Sequence, residues 1–256
     1  MSDSPVRIEA LEGGAFWRVL LARPKANVID SAMSAALTEV FERARADRDL
    51  KAICLEGEGP HFSFGASVEE HLPGSVAAML HGFHGLFRAI AASDLFVMAA
   101  VRGQCLGGGL ELAAFAHRLF ASPGAQLGQP EIRLGVFAPV ASVLLAERTG
   151  RGAAEDLCLS GRSLGAEEAR ACGLVDELAE DPGAAALAYA QAHLCQHSAS
   201  SLRHAVHAVR RGFNERFFGE LDAIERYYLE DLMSTRDAEE GIRSFLDKRK
   251  PDWSNQ

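Results

Sequence analysis

The sequence has no C-x-x-C pair. Its five cysteines, Cys54, Cys105, Cys158, Cys172 and Cys195, are odd in number and widely spread, which argues against a disulfide framework and offers no zinc-ligand spacing. A reducing compartment, the cytoplasm, is the expected location. No apolar run approaches the ~20 residues of a membrane span, and the opening "MSDSPVRIEA" has no apolar signal core, so neither membrane insertion nor export is expected. Net positive charge is missing as well. The formal balance is −9, whereas general nucleic-acid binding calls for a basic field. An anionic small ligand would have to find local cations, and two short basic stretches offer them: "RPKAN" at 23–27 and "DKRK" at 247–250. Taken alone, both read as solvated surface. There is no low-complexity segment and no fixed-period repeat. The H-E-x-x-H metal motif is also absent, although His81 and His84, His193 and His197, and His204 and His207 have spacings that can share a helix face. These histidines read as partly exposed helix residues, and no metal is expected.

What is present is a chain of 256 residues with 48% hydrophobic content, enough to bury a sizeable core. Two β-rich runs, "VRIEAL" and "FWRVLLA", flank Glu12-Gly13-Gly14 and predict a hairpin. A helix follows, with Ser31 as its expected cap and Met33, Leu37, Val40, Phe41 and Ala44 at helical spacing. A buried strand "KAICLEG", the loop "EGPHFSFGAS", a helix around 75–92 and the strand "LFVMAAV" continue the alternation to about residue 178. Beyond Asp181 no strand is expected, only amphipathic helical runs broken at Ser198, Gly212 and near Ser234. The expected organisation is an α/β core over residues 1–195 and a helical C-terminal region over 196–256.

Chemistry concentrates in "RGQCLGGGLELA" at 102–113, where Gly107, Gly108 and Gly109 precede good helix formers and one acid, Glu111. A helix start exposes backbone N–H groups without intrahelical acceptors and carries partial positive charge. Glycine there permits close approach of a ligand. An oxyanion set against the Gly108 amide would be stabilised, with Glu111 beside it. The same motif is also satisfied by a helix packed tightly on a strand, its acid complementing the dipole. A second acid, Glu131, follows a Gly-Gln-Pro turn in "LGQPEIRLGVFAP", and Gly65-Ala66 of the loop "HFSFGAS" offers another backbone donor. Two carboxylates in different surroundings can divide acid and base work.

Taken in order and spacing, "RPKAN", "HFSFGASVEE", "GQCLGGGLELA", "GQPEIRLG", "LSGRSLGAEEARACGLVDEL" and "FLDKRKPDW" resemble the crotonase (enoyl-CoA hydratase/isomerase) superfamily over nearly the whole chain. That resemblance implies an α/β fold with a crotonase-like ββα spiral core, and a helical C-terminal region that drives assembly into homotrimers or homohexamers. It implies an acyl-CoA thioester as substrate, with coenzyme A part of the substrate and no separate cofactor. The family's oxyanion-hole amides fall on Ala66 and Gly108, and its two catalytic glutamates on Glu111 and Glu131. Its coenzyme A contacts fall on Lys25, Ala26, Phe64, Ser67 and Val68, with Lys248 reaching a phosphate from a neighbouring subunit.

The chain departs from the family pattern in two places. The common A-G-A-D loop reads Phe64-Gly65-Ala66-Ser67, and Glu69 stands where a lysine is frequent. After Glu131 comes Val136-Phe137-Ala138-Pro139-Val140 in place of a glycine-rich helix start. An acyl pocket lined by Phe137 and Val140 would not suit a long straight chain. The combination resembles the hydratases of cyclohexa-1,5-diene-1-carbonyl-CoA in anaerobic benzoyl-CoA degradation, which form 6-hydroxycyclohex-1-ene-1-carbonyl-CoA. A general 2-enoyl-CoA hydratase or isomerase and a non-catalytic acyl-CoA-binding scaffold remain alternatives, since fold alone does not specify chemistry.

Overall fold

A computed structural model describes residues 4–256. Strands β1 (Val6–Leu11) and β2 (Phe16–Leu21) form the expected hairpin, pairing antiparallel from Val6↔Leu21 to Leu11↔Phe16. The turn between them uses Gly13 at φ 65°, a conformation glycine adopts without steric cost. Helix α1 (Ser31–Ala46) follows. Its cap is Asp30, whose carboxylate accepts from the Met33 amide at 2.8 Å; Ser31, the expected cap, is the first helical residue. Then come β3 (Ala52–Gly57), α2 (Val76–Ala92), β4 (Phe96–Val101), β5 (Gln104–Leu106), α3 (Gly108–Phe115), β6 (Arg118–Ala121) and β7 (Gln126–Gly128). The chain continues through α4 (Pro139–Thr149), α5 (Arg151–Ser160), β8 (Ser163–Gly165), α6 (Ala166–Ala171), β9 (Glu177–Leu178), α7 (Pro182–His193), α8 (Ala199–Glu230) and α9 (Arg236–Leu246).

The strands form two sheets. One has the order β1-β2-β3-β4-β6-β9, parallel from β2 onward, and a small one has the order β5-β7-β8. Parallel strands covered on both faces read as near-continuous apolar runs. Accordingly, every residue of β3 up to Glu56 is buried. One face of the large sheet packs on α1, α2 and α3, burying Leu37, Phe41, Phe87 and Leu110 in the main core. The other packs on α7 through Phe16, Met98, Phe120 and Ala186. A third apolar cluster joins α2, α8 and α9 through Leu80, Tyr228 and Ile242.

The C-terminal region is helical, but its longest helix is not interrupted where the sequence suggested. Helix α8 runs unbroken through Gly212. A glycine inside a helix costs only about 1 kcal/mol relative to alanine, and Phe217 and Leu221, fully buried in the main core, offset that. No helix among the described residues is long and apolar enough to cross a membrane.

Candidate active site

The loop leaving β3 is pinned to the segment before α1 by a buried asparagine. Asn27 is 0% exposed, and its amide donates to the carbonyls of Glu58 and His61, both at 3.0 Å. The Ser63 hydroxyl donates to the Asn27 carbonyl at 2.7 Å and accepts from the Gly65 amide at 3.0 Å. The Phe64 amide donates to Ala26 O at 2.8 Å. These bonds fix the backbone leading into Ala66. "RPKAN" therefore contributes a structural pin, a role its basic residues did not advertise.

The three glycines at the start of α3 each answer to a different neighbour. A methyl group on Gly107, which has φ 53°, would overlap Oε1 of Glu131. One on Gly108 would lie 3.2 Å from the Ala66 amide nitrogen, and one on Gly109 would meet Ser63 Cβ at 2.6 Å. The amides of Ala66 and Gly108 are thus close neighbours. Among the described residues the Ala66 amide has no acceptor, and the Gly108 amide, at the first position of α3, has no intrahelical one. Among the described residues, two neighbouring donors without acceptors thus line one chamber beside a carboxylate.

Both acids line the same chamber, together with Gly65, Ala66, Val68, His71, Phe83, Gly108, Val136 and Phe137. Glu111, 3% exposed, accepts from the Ala141 amide at 2.7 Å. Proline at the first position of α4 pre-sets the backbone of that helix start, whose third residue is Ala141. Burial lifts its pKa above the ordinary carboxylate range, against the pull of the Ala141 and Val140 amides. Glu131 sits on a 3-10 turn, Pro130–Leu134. Burial raises its pKa, and the charge of Glu111 raises it further. Two such groups resist carrying two negative charges together, an arrangement that can hold one carboxyl protonated beside one ionised.

Gln129 was not singled out by the sequence and is 1% exposed. With its amide nitrogen turned toward Glu131 it lies 3.2 and 3.0 Å from the two carboxylate oxygens. Its position in the Gly-Gln-Pro turn was the available signal.

Other expected contacts fall differently. Phe137 lines the chamber, but Val140 does not: its side chain is 0% exposed within the main core, and it faces the site only through its amide. A second groove, sharing Phe64, Ala66 and Val68 with the chamber, runs past Ser67 to Phe245 and Arg249 at the end of α9. The chamber has about 70 Å³ of free volume and the groove about 630 Å³. Lys25 is exposed and lines neither space, Ala26 contributes its carbonyl to the loop wall, and Lys248, expected to serve a neighbouring subunit's site, is exposed just past the end of α9. His84, expected to be partly exposed, is 2% exposed and pairs through Nδ1 with Glu225 of α8, because α8 covers that face of α2.

A family model described as enoyl-CoA hydratase/isomerase matches residues 13–256. The cyclohexa-1,5-dienecarbonyl-CoA hydratase of Thauera aromatica is 50% identical over 255 residues, covering 100% of this chain and 99% of that protein. A probable enoyl-CoA hydratase of Mycobacterium bovis is 35% identical, covering 93% of this chain and 94% of its own. Among solved structures, an enoyl-CoA hydratase/isomerase from Pseudoalteromonas atlantica superposes with a TM-score of 0.86 at 24% identity, over 98% of this chain and 100% of the other.

Proposed function

The chain belongs to the enoyl-CoA hydratase/isomerase family, and from that premise we propose that it hydrates cyclohexa-1,5-diene-1-carbonyl-CoA to 6-hydroxycyclohex-1-ene-1-carbonyl-CoA. The observation that carries the chemistry is the pairing of two carboxyl groups, Glu111 buried and Glu131 partly buried, with two amides that have no acceptor among the described residues, in one chamber. The ring substrate is supported by the full-length identity to the Thauera aromatica hydratase. A small chamber walled by Phe83, Val136 and Phe137 suits a compact ring better than an extended chain.

In this reading the thioester carbonyl sits against the amides of Ala66 and Gly108. One glutamate, ionised, takes a proton from water as its oxygen bonds to the ring carbon β to the thioester. The electron pair of that double bond moves through the α carbon onto the carbonyl oxygen, giving a dienolate held by the two amides. The other glutamate, protonated, delivers its proton to the far end of the dienolate, and the carbonyl re-forms. One water is added and one hydroxyl and one hydrogen appear on the ring. The carboxyl pair ends with one proton and one charge, as it began. The reaction is redox-neutral, so it calls for no electron-carrying cofactor, and coenzyme A arrives as part of the substrate. The groove past Ser67 and α9 holds the pantetheine arm. The physiological setting is anaerobic aromatic degradation in the cytoplasm, and the assembly is a homotrimer or homohexamer.

Turnover of a cyclic dienoyl-CoA against crotonyl-CoA, by purified protein, tests the substrate. The expected result is a kcat/KM higher by at least ~10-fold for the ring, the scale on which pocket fit discriminates acyl groups. A preference for crotonyl-CoA would overturn the ring assignment and leave the family intact.

A further inference from the structure

One polar group in the chamber has no part in the proton transfers above. His71 lies on the short 3-10 turn Glu69–His71, five residues after Ala66, and its ring is part of the chamber wall. Nδ1 is 2.7 Å from the carbonyl oxygen of Ser67. A carbonyl oxygen only accepts, so Nδ1 carries the hydrogen, and in a neutral imidazole Nε2 then presents a lone pair. Burial holds the imidazole below its ordinary pKa, opposed by the Ser67 hydrogen bond and the charge of Glu70. The carboxylate of Glu70 is itself engaged by the Ser31 amide, at 3.2 and 3.0 Å. Among the described residues no protein group bonds Nε2, and the atom is not sealed in the core but open to whatever fills the chamber.

The wall therefore offers an acceptor held in one orientation, tied to the residue that follows the Ala66 amide. A dienoyl ring has no hydrogen-bond donor. Its hydrated product has one, the new hydroxyl, and the attacking water brings the same O–H before the bond forms. Resting on the hydratase reading above, we propose that His71 Nε2 accepts a hydrogen bond from the hydroxyl that hydration places on the acyl group, making His71 a substrate-contacting residue that distinguishes hydroxyacyl from unhydroxylated thioesters.

The test uses a pair of coenzyme A thioethers, (6-hydroxycyclohex-1-enyl)methyl-CoA and cyclohex-1-enylmethyl-CoA. Both lack the carbonyl that elimination requires, so neither turns over during a titration. The parent should bind the hydroxylated thioether about 10-fold more tightly, the scale of one well-made hydrogen bond. His71→Leu should bring the ratio near one while leaving the affinity for the unhydroxylated thioether unchanged. His71→Gln, whose Oε1 is an acceptor of similar reach, should keep most of the preference. No preference in the parent, an undiminished preference in His71→Leu, equal weakening of both thioethers, or a loss in His71→Gln as complete as in His71→Leu would each overturn the proposal. Turnover of the cyclic dienoyl-CoA by the same parent preparation separates the two readings: its absence overturns the substrate assignment, while the thioether ratio decides the role of His71.

Discussion

Glu131 illustrates how one side chain links site chemistry to stability. Burial, and then the charge of Glu111, hold its native pKa above the ordinary carboxylate value, so the unfolded chain gives up this proton more readily than the folded one. The stability it lends is fully present below the unfolded pKa and is lost as pH rises through the raised native value. Glu131→Gln removes that pH-dependent penalty. The variant's unfolding midpoint minus the parent's should therefore become more positive between about pH 5 and about pH 9, measured by thermal melts. A difference that stays flat would mean that Glu131 ionises as freely in the folded protein as in the unfolded chain. Both acids were legible because each stands beside punctuation with a mechanical meaning: glycines at a helix start for Glu111, a Gly-Gln-Pro turn for Glu131. Gln129 and His71 were not, because a lone glutamine or histidine in a loop carries no spacing signal. Val140 was read as a pocket residue because its position near Glu131 was visible, while the rotation of α4, which turns its side chain inward, was not.

At the scale of elements, periodicity located β1 to β4 with α1 and α2, and packing decided their ends. Asp30 displaced Ser31 as the cap of α1 because its carboxylate reaches the Met33 amide. The break expected at Gly212 failed because tertiary burial on either side outweighs glycine's weak local preference. Helix α8 also closes other elements. The Arg203 guanidinium donates to the carbonyls of Ser93 (2.9 Å), Ala44 (3.1 Å) and Leu50 (3.3 Å), and also to that of Asp47. Ala44, Asp47 and Ser93 lie at the C-terminal ends of α1 and α2, where carbonyls run short of intrahelical donors and a cation is favoured, and Leu50 lies in the link from α1 to β3. Arg203→Ala should destabilise the protein by about 2–4 kcal/mol in denaturant unfolding and leave kcat within about twofold of the parent. Loss of turnover at full stability would show that α8 acts on the site directly.

For the molecule as a whole, α9 ties the C-terminal region to the chemistry. It packs so closely on the turn bearing Glu131 that a methyl group on Gly241 would overlap the Leu134 carbonyl. The same region leaves Val209 82% and Phe245 56% exposed, and apolar surface of this kind is commonly covered by another subunit. Light scattering should give three or six times the 27.5 kDa chain mass, and a monomer at micromolar concentration would contradict the assembly. The ordered set of motifs made the fold and the two-acid site legible. The closing of α9 over that site rests on contacts distant in sequence, which no local pattern announces. Whether Glu111 and Glu131 together move the protons of hydration is decided by kcat for Glu111→Gln and Glu131→Gln on a cyclic dienoyl-CoA. Each should fall by at least ~10²-fold, the usual share of a positioned acid or base, with thioester binding retained in direct titration. Near-parental turnover in both variants would contradict the two-carboxylate site.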